Sequence, residues 1–302
     1  MKLPLKPLLI ALGLAATAYA LVLLLTGAAP PQQLFQTISS PAGLMAATLC
    51  CVNYVLRGLR WRLWMAHYGR PLGPLEGLRI YLAGYTFTPT PGNIGEAARG
   101  LLLVRAPLGP MQSLSIFGAE RLADLLALLL LTLPGVWWLL ALPQLSWLPL
   151  LAVGLGVLAL LGLAVLQRLR PGLLARWAWL RQARDCLTTR PLSWLLLTLL
   201  AWAAQGLAVW LICRELGLTI DPLLATGFYA LAMVGGALSM LPAGLGGMEA
   251  LLTGLLLAFG AELGLAAGIT VLVRLLTLWL AVAIGVVALL YSAAFRKDLS
   301  LR

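Results

Sequence analysis

Four charged residues set inside apolar sequence are the first candidates for chemistry: Glu96, Arg121, Glu249 and Arg274. Each glutamate precedes its arginine by the same distance, since 121 − 96 = 25 and 274 − 249 = 25. Pro89 and Pro242 stand seven residues ahead of the two glutamates. One offset of 153 therefore maps 89 onto 242, 96 onto 249 and 121 onto 274, and a leucine follows each arginine, Leu122 and Leu275. Ionised side chains in hydrocarbon need partners or water. Such pairs either pin neighbouring helices or wall a polar cavity. An arginine fork that holds a carboxylate is also suited to a phosphate that displaces it.

Further polar residues gather around these pairs. Glu120 and Asp124, at i and i+4, share a helix face beside Arg121. Arg99 follows Glu96 by three residues and shares its face, placed to meet a headgroup or, with slightly more weight, the interface. Both glutamates lie next to backbone breakers, in TPTPGNIGEAARG (88–100) and LSMLPAGLGGMEALLTG (238–254). Gly92, Gly95, Gly244, Gly246 and Gly247 permit tight turns or close approach, and Asn93 adds an amide within the first break. The candidate binding set is therefore Glu96, Arg99, Glu120, Arg121, Asp124, Glu249, Arg274, Asn93 and these five glycines. Arg105 is read as interfacial; Asp185, Glu215, Asp221 and Glu262 are read as solvated.

The elements that must position them are membrane helices. The chain is 62% hydrophobic and 10% charged, with a mean hydropathy of +0.97, too apolar for a soluble domain of 302 residues. Apolar spans fall at about 8–26, 42–57, 111–141, 147–166, 191–213 and 263–294. Two more apolar regions, about 75–107 and 222–260, are each broken in the middle by Pro and Gly. Lys2, Lys6 and an apolar run resemble a signal peptide, but the run continues past Ala20 and reads as an uncleaved first helix.

The net charge of +11 comes from arginines placed between spans, the pattern of cytoplasmic loops rather than of a nucleic-acid surface. The segments 57–70 and 168–190 read as basic cytoplasmic loops, which puts both chain termini in the cytoplasm. Trp177 and Trp179 mark an interfacial amphipathic stretch in the second. Cys50, Cys51, Cys186 and Cys213 lack metal-ligand spacing and read as packing residues, and His67 is the single histidine. No metal or cofactor is expected. No nucleophile or phosphate loop accompanies the carboxylates, so an enzyme is not expected.

The offset of 153 divides one membrane domain, 1–302, into repeats of about 8–141 and 147–294. Each repeat has two spans, a broken hairpin and one long span. Three crossings per repeat place the second upside down relative to the first, the inverted arrangement in which broken helices meet near the midplane. The fold expected is an all-α polytopic membrane protein with six long spans and two broken re-entrant helical hairpins.

The motifs PGNIGEAAR (91–99), ERLADLL (120–126), LPAGLGGME (241–249) and VRLLTLW (273–279), in that order, resemble the lysylphosphatidylglycerol synthase transmembrane, or flippase-like, family. The resemblance covers nearly the whole chain. It implies a protein of the prokaryotic cytoplasmic membrane that handles a lipid. In the namesake enzymes this domain is joined to a soluble aminoacyl-transfer domain. No soluble domain is expected before Lys2 or after Arg302, so the synthase activity is not expected of this chain. Two expectations follow: a translocase that moves or shelters an anionic or polyprenyl-phosphate-linked lipid, or a membrane partner presenting lipid to a separate glycosyltransferase or lipid-modifying enzyme.

Overall fold

The computed structural model describes residues 31–103, 108–144, 146–147, 178–239 and 241–300. The expected spans 8–26 and 147–166, and Arg105, lie outside these residues apart from Trp147. The described chain is helical, and no strand occurs among the described residues.

Proline sets most helix starts, because its missing N–H is one that a first turn leaves unbonded anyway. The helices α1 (Pro31–Ser39), α2 (Pro41–His67) and α3 (Pro74–Gly84) begin this way. So do α4 (Pro110–Leu131), α7 (Pro191–Glu215) and α8 (Pro222–Leu238). Between them lie α5 (Leu133–Leu140) and α6 (Ala178–Thr188); after them come α9 (Gly247–Ala258), α10 (Leu263–Arg274) and α11 (Leu280–Ser300). The side chain of the residue just ahead of the helix caps α2 and α8: the Gly43 N–H donates to Ser40 Oγ at 3.1 Å, and the Leu223 N–H to Asp221 Oδ1 at 2.8 Å.

Among the described residues, three helices are long and apolar enough to cross a membrane: Pro41–His67, Pro191–Glu215 and Leu263–Ser292. The pair α4 and α5 adds a fourth if taken as one span bent by 43°. The bend sits just before Pro134, whose ring cannot continue the helix undisturbed. In α4, Ala123 and Ala127 are fully buried while Leu125 and Leu129 are 42% and 48% exposed. Small residues inside and leucines outside are the reverse of a soluble helix and fit a lipid-facing surface.

Two sequence-derived boundaries need correction. The span read as 42–57 continues as helix to His67, so most of the segment read as a basic loop from Arg57 is helical. Between the expected spans 8–26 and 42–57, where no element is expected, the chain forms α1. The last span is continuous but passes through a π-helical turn at Leu275–Trp279 between α10 and α11.

Both apolar regions expected to break do so. In the first, α3 runs into a 3₁₀ turn, Tyr85–Phe87, then a non-helical step, then a 3₁₀ helix at Pro91–Leu102. In the second, α8 ends at Leu238 and α9 starts at Gly247, with a short turn at Pro242–Gly244 between them. The 3₁₀ helix of the first break packs against the Pro242–Gly244 turn of the second. Around this meeting point α2 packs along α7, α8 against α9, α4 against α6, and α11 against α3.

Candidate functional site

The first break is closed by its own hydrogen bonds, which is what broken backbone within a membrane protein requires. Thr90 Oγ1 accepts from the Gly95 N–H at 2.9 Å and donates to the Phe87 carbonyl at 2.9 Å. Asn93 adopts φ 56°, a left-handed conformation that asparagine tolerates better than most residues. Gly95 is needed for space: a Cβ there would lie 2.9 Å from the Phe87 carbonyl oxygen. Gly92 lies in the 3₁₀ helix that follows the break. Thr88 Oγ1 donates to Glu96 Oε1 at 2.8 Å, fixing the carboxylate beneath the turn.

Glu96 begins a buried ion-pair network. Arg99 donates to Glu96 Oε2 at 2.6 Å and to Glu120 Oε2 at 2.7 Å. Arg60 donates to Asp124 Oδ1 at 2.7 Å and lies 3.8 Å from Glu120. Arg57 donates to Asp124 Oδ2 at 2.8 Å. Arg121 is held more loosely, 3.2 Å from Asp124 and 3.5 Å from Glu96, and its side chain is 31% exposed. Four guanidinium groups thus meet three carboxylates. Aromatic faces receive the excess: the Arg57 guanidinium lies 5.2 Å from the Trp202 ring centre, and that of Arg99 lies 4.3 Å from Tyr81.

At the second break the backbone carries more of the strain. Ala243 has φ 53°, Gly244 φ 66° and Gly246 φ 84°. Gly247 lies against the Ser239 side chain, where a Cβ would approach to 2.9 Å. Glu249 reaches back to accept the Gly246 N–H at 2.8 Å, satisfying an orphan donor of the first turn of α9. Its other oxygen accepts from Arg274 Nε at 2.7 Å, and Arg274 Nη2 donates to the Ala243 carbonyl at 3.0 Å. The two glutamate–arginine pairs spaced by 25 residues are therefore both in contact.

A cavity of about 80 Å³ opens between the breaks, with room for several waters. Glu96, Arg121, Arg274 and Asn93 line it, as do Arg57, Tyr54, Tyr85, Gln205 and Tyr229. Arg99 and Glu120 line a separate small space behind it. Asp124 supports Arg57 and Arg121 from behind the cavity wall. None of the five candidate glycines lines the cavity.

The placement of Arg99 at the interface is corrected: it is 1% exposed and doubly ion-paired. Arg57 and Arg60 are corrected likewise, being buried at 7% and 0% exposure rather than in a solvated loop. A signal for them was available. Asn53, Arg57, Arg60 and Trp64 recur at spacings of four, three and four, one face of a helix continued past the apolar run. Asn53 donates to the Ala201 carbonyl at 2.8 Å and Trp64 to the Cys186 carbonyl at 2.9 Å, so the whole face is inward. Of the two tryptophans in the stretch read as interfacial, Trp177 lies outside the described residues, and Trp179 is half-buried, its ring 2.8 Å from where a Cβ on Gly118 would lie. Asp185, Glu215, Asp221 and Glu262 are exposed.

Apolar helices, lipid-facing leucines and charges gathered between two helix breaks define an all-helical membrane protein. Residues 8–285 match the family model of the lysylphosphatidylglycerol synthase TM region, and the chain belongs to that family. It is also similar, at 32% identity over 92 residues, to a protein of Methanothermobacter thermautotrophicus described as UPF0104 membrane protein. That similarity covers 30% of this chain and 28% of the relative's length.

Proposed function

We propose that this chain is a lipid translocase of flippase-like type, which moves or shelters an anionic phospholipid or polyprenyl-phosphate-linked lipid across the cytoplasmic membrane. The observation that carries the reading is the cavity between the breaks, where Arg57, Arg121 and Arg274 face the single carboxylate of Glu96. Guanidinium forks in a low-dielectric wall suit a phosphate headgroup, while its tails remain among the exposed leucines outside.

In this reading the two broken hairpins are re-entrant and belong to inverted repeats, about 8–141 and 147–294, completing six long spans. The shared offset of 153 residues supports that arrangement. Basic residues at 2, 6, 168–190 and 296–302 favour cytoplasmic termini. The protein acts without chemistry of its own, because each nearby carboxylate is engaged by arginine rather than poised beside a nucleophile.

Leaflet-specific labelling in proteoliposomes tests the proposal. Wild-type protein should accelerate transbilayer exchange of an anionic phospholipid. Arg121→Ala and Arg274→Ala should each reduce that acceleration at least tenfold at equal membrane abundance. Exchange equal to that of empty liposomes for every anionic lipid tried would overturn it.

A further inference from the structure

We propose that the cavity selects phosphate headgroups that carry no amine and rejects those that carry an ammonium group. This rests on the translocase reading above and specifies the ligand of the same site.

The argument is an inventory of acceptors. The sequence holds ten carboxylate side chains, and four of them lie in the charged network: Glu96, Glu120, Asp124 and Glu249. Glu76, Asp185, Glu215, Asp221 and Glu262 are exposed elsewhere, and Asp298 is near the chain end. Every oxygen of the four network carboxylates already accepts a hydrogen bond. Glu96 Oε1 takes Thr88 Oγ1 and its Oε2 takes Arg99. Glu120 takes Arg99 on both oxygens. Asp124 takes Arg60 and the Trp202 indole on Oδ1, and Arg57 on Oδ2. Glu249 takes Arg274 and the Gly246 N–H. Of the neutral acceptors, Gln205 Oε1 is occupied by the Tyr229 hydroxyl at 3.0 Å.

Donors, by contrast, are in surplus. Five arginines of the network face four carboxylates, leaving one unbalanced positive charge. The Nε atoms of Arg57 and Arg121, both on cavity-lining residues, are buried and have no hydrogen-bond partner. Arg57 as a whole is 7% exposed, so it is screened from bulk solvent. Buried donors left open in this way favour an incoming acceptor. An ammonium in the same space would meet three guanidinium groups and one carboxylate, Glu96, already ion-paired to Arg99 and Arg121, an arrangement that low dielectric makes more repulsive. The name of the family's model refers to a lysine-bearing lipid; the acceptor inventory here disfavours a headgroup of that charge.

The test is competition on the full-length purified chain in detergent, reading displacement of spin-labelled phosphatidylglycerol. Phosphatidylglycerol and phosphatidic acid should displace the probe at least tenfold more effectively than phosphatidylethanolamine or lysylphosphatidylglycerol. Inorganic phosphate and glycerol phosphate form a second arm, separating a lipid source from a free anion; they should compete at least tenfold less well than the lipids. Gln205→Glu adds a cavity carboxylate without a change of size, and should bring phosphatidylethanolamine to within about threefold of phosphatidylglycerol. Equal competition by amine-bearing and amine-free lipids, with displacement still lost in Arg121→Ala, would overturn the selectivity and leave the binding site standing. Displacement by inorganic phosphate as effective as by lipid would overturn the lipid source. Probe binding that is absent, or unchanged in Arg121→Ala and Arg274→Ala, would overturn the site and the translocase reading together.

Discussion

The two helix breaks share one device and differ in almost everything else around it. Each has a glutamate in its second arm and an arginine 25 residues later, in contact at 3.5 Å in the first and 2.7 Å in the second. At the offset of 153, however, Arg57, Arg60, Arg99, Glu120 and Asp124 correspond to Trp210, Cys213, Leu252, Val273 and Thr277. The first break is therefore held by a web of charge, the second by backbone conformation and one ion pair. The comparison separates what a break needs from what has been added to it. A single glutamate–arginine contact suffices to tie a broken arm to its neighbouring helix, and the additional charges around the first break set the electrostatics of the shared cavity.

The largest effect should come from cutting the web at its centre. Asp124→Asn removes the charge partner of Arg57 and Arg60, leaving buried guanidinium groups without compensation. A loss of about 3–5 kcal/mol is expected, measured as the lowered midpoint of thermal unfolding in detergent. A midpoint within a degree of wild type would show that the web is not what secures the first break. The second break should respond instead to its backbone. Gly246→Ala places a Cβ at φ 84°, where only the Leu241 side chain lies near, at 3.8 Å. The expected loss is about 1–2 kcal/mol, from conformation rather than collision. The smallest effect on stability should be that of Arg121→Ala, because its contacts are long and its side chain is 31% exposed. A change of about 1 kcal/mol or less is expected, together with the large loss of lipid exchange described above. A destabilisation matching that of Asp124→Asn would make Arg121 a structural member of the web.

Much of this contrast was legible in the sequence, because proline, glycine and intramembrane charge each have few tolerable uses. Pro89, Pro91 and Pro242 with their glycines marked both breaks, and the equal spacing of the glutamates and arginines marked both contacts. Arg57 and Arg60 were not recognised because a basic segment after an apolar run has the same composition whether it lies in a loop or continues inward as helix. Their counterion, Asp124, is 67 residues from Arg57 and 64 from Arg60, beyond the reach of any local pattern. Arg99 was misplaced for a related reason: its partner Glu120 belongs to another helix. Pro134 was a visible signal for the bend between α4 and α5 that the apolar length of 111–141 concealed. The π-turn had no comparable signal, since leucine-rich sequence permits several helical pitches.

That turn ties the two breaks to one rod. On its near side Arg274 grips the second break through Glu249 and the Ala243 carbonyl. On its far side Gly285 lies bare against the first, with the Thr86 nitrogen 2.6 Å and the Leu82 carbonyl 3.0 Å from where a side chain would begin. The Tyr54 hydroxyl donates to the Leu276 carbonyl at 3.0 Å, within the wide turn itself. Adding or removing one residue in a helix rotates everything beyond it by about 100°. The width of Leu275–Trp279 thus sets the azimuth at which Arg274 enters the cavity once Gly285 is seated, so the two breaks are phased by the winding of a single helix.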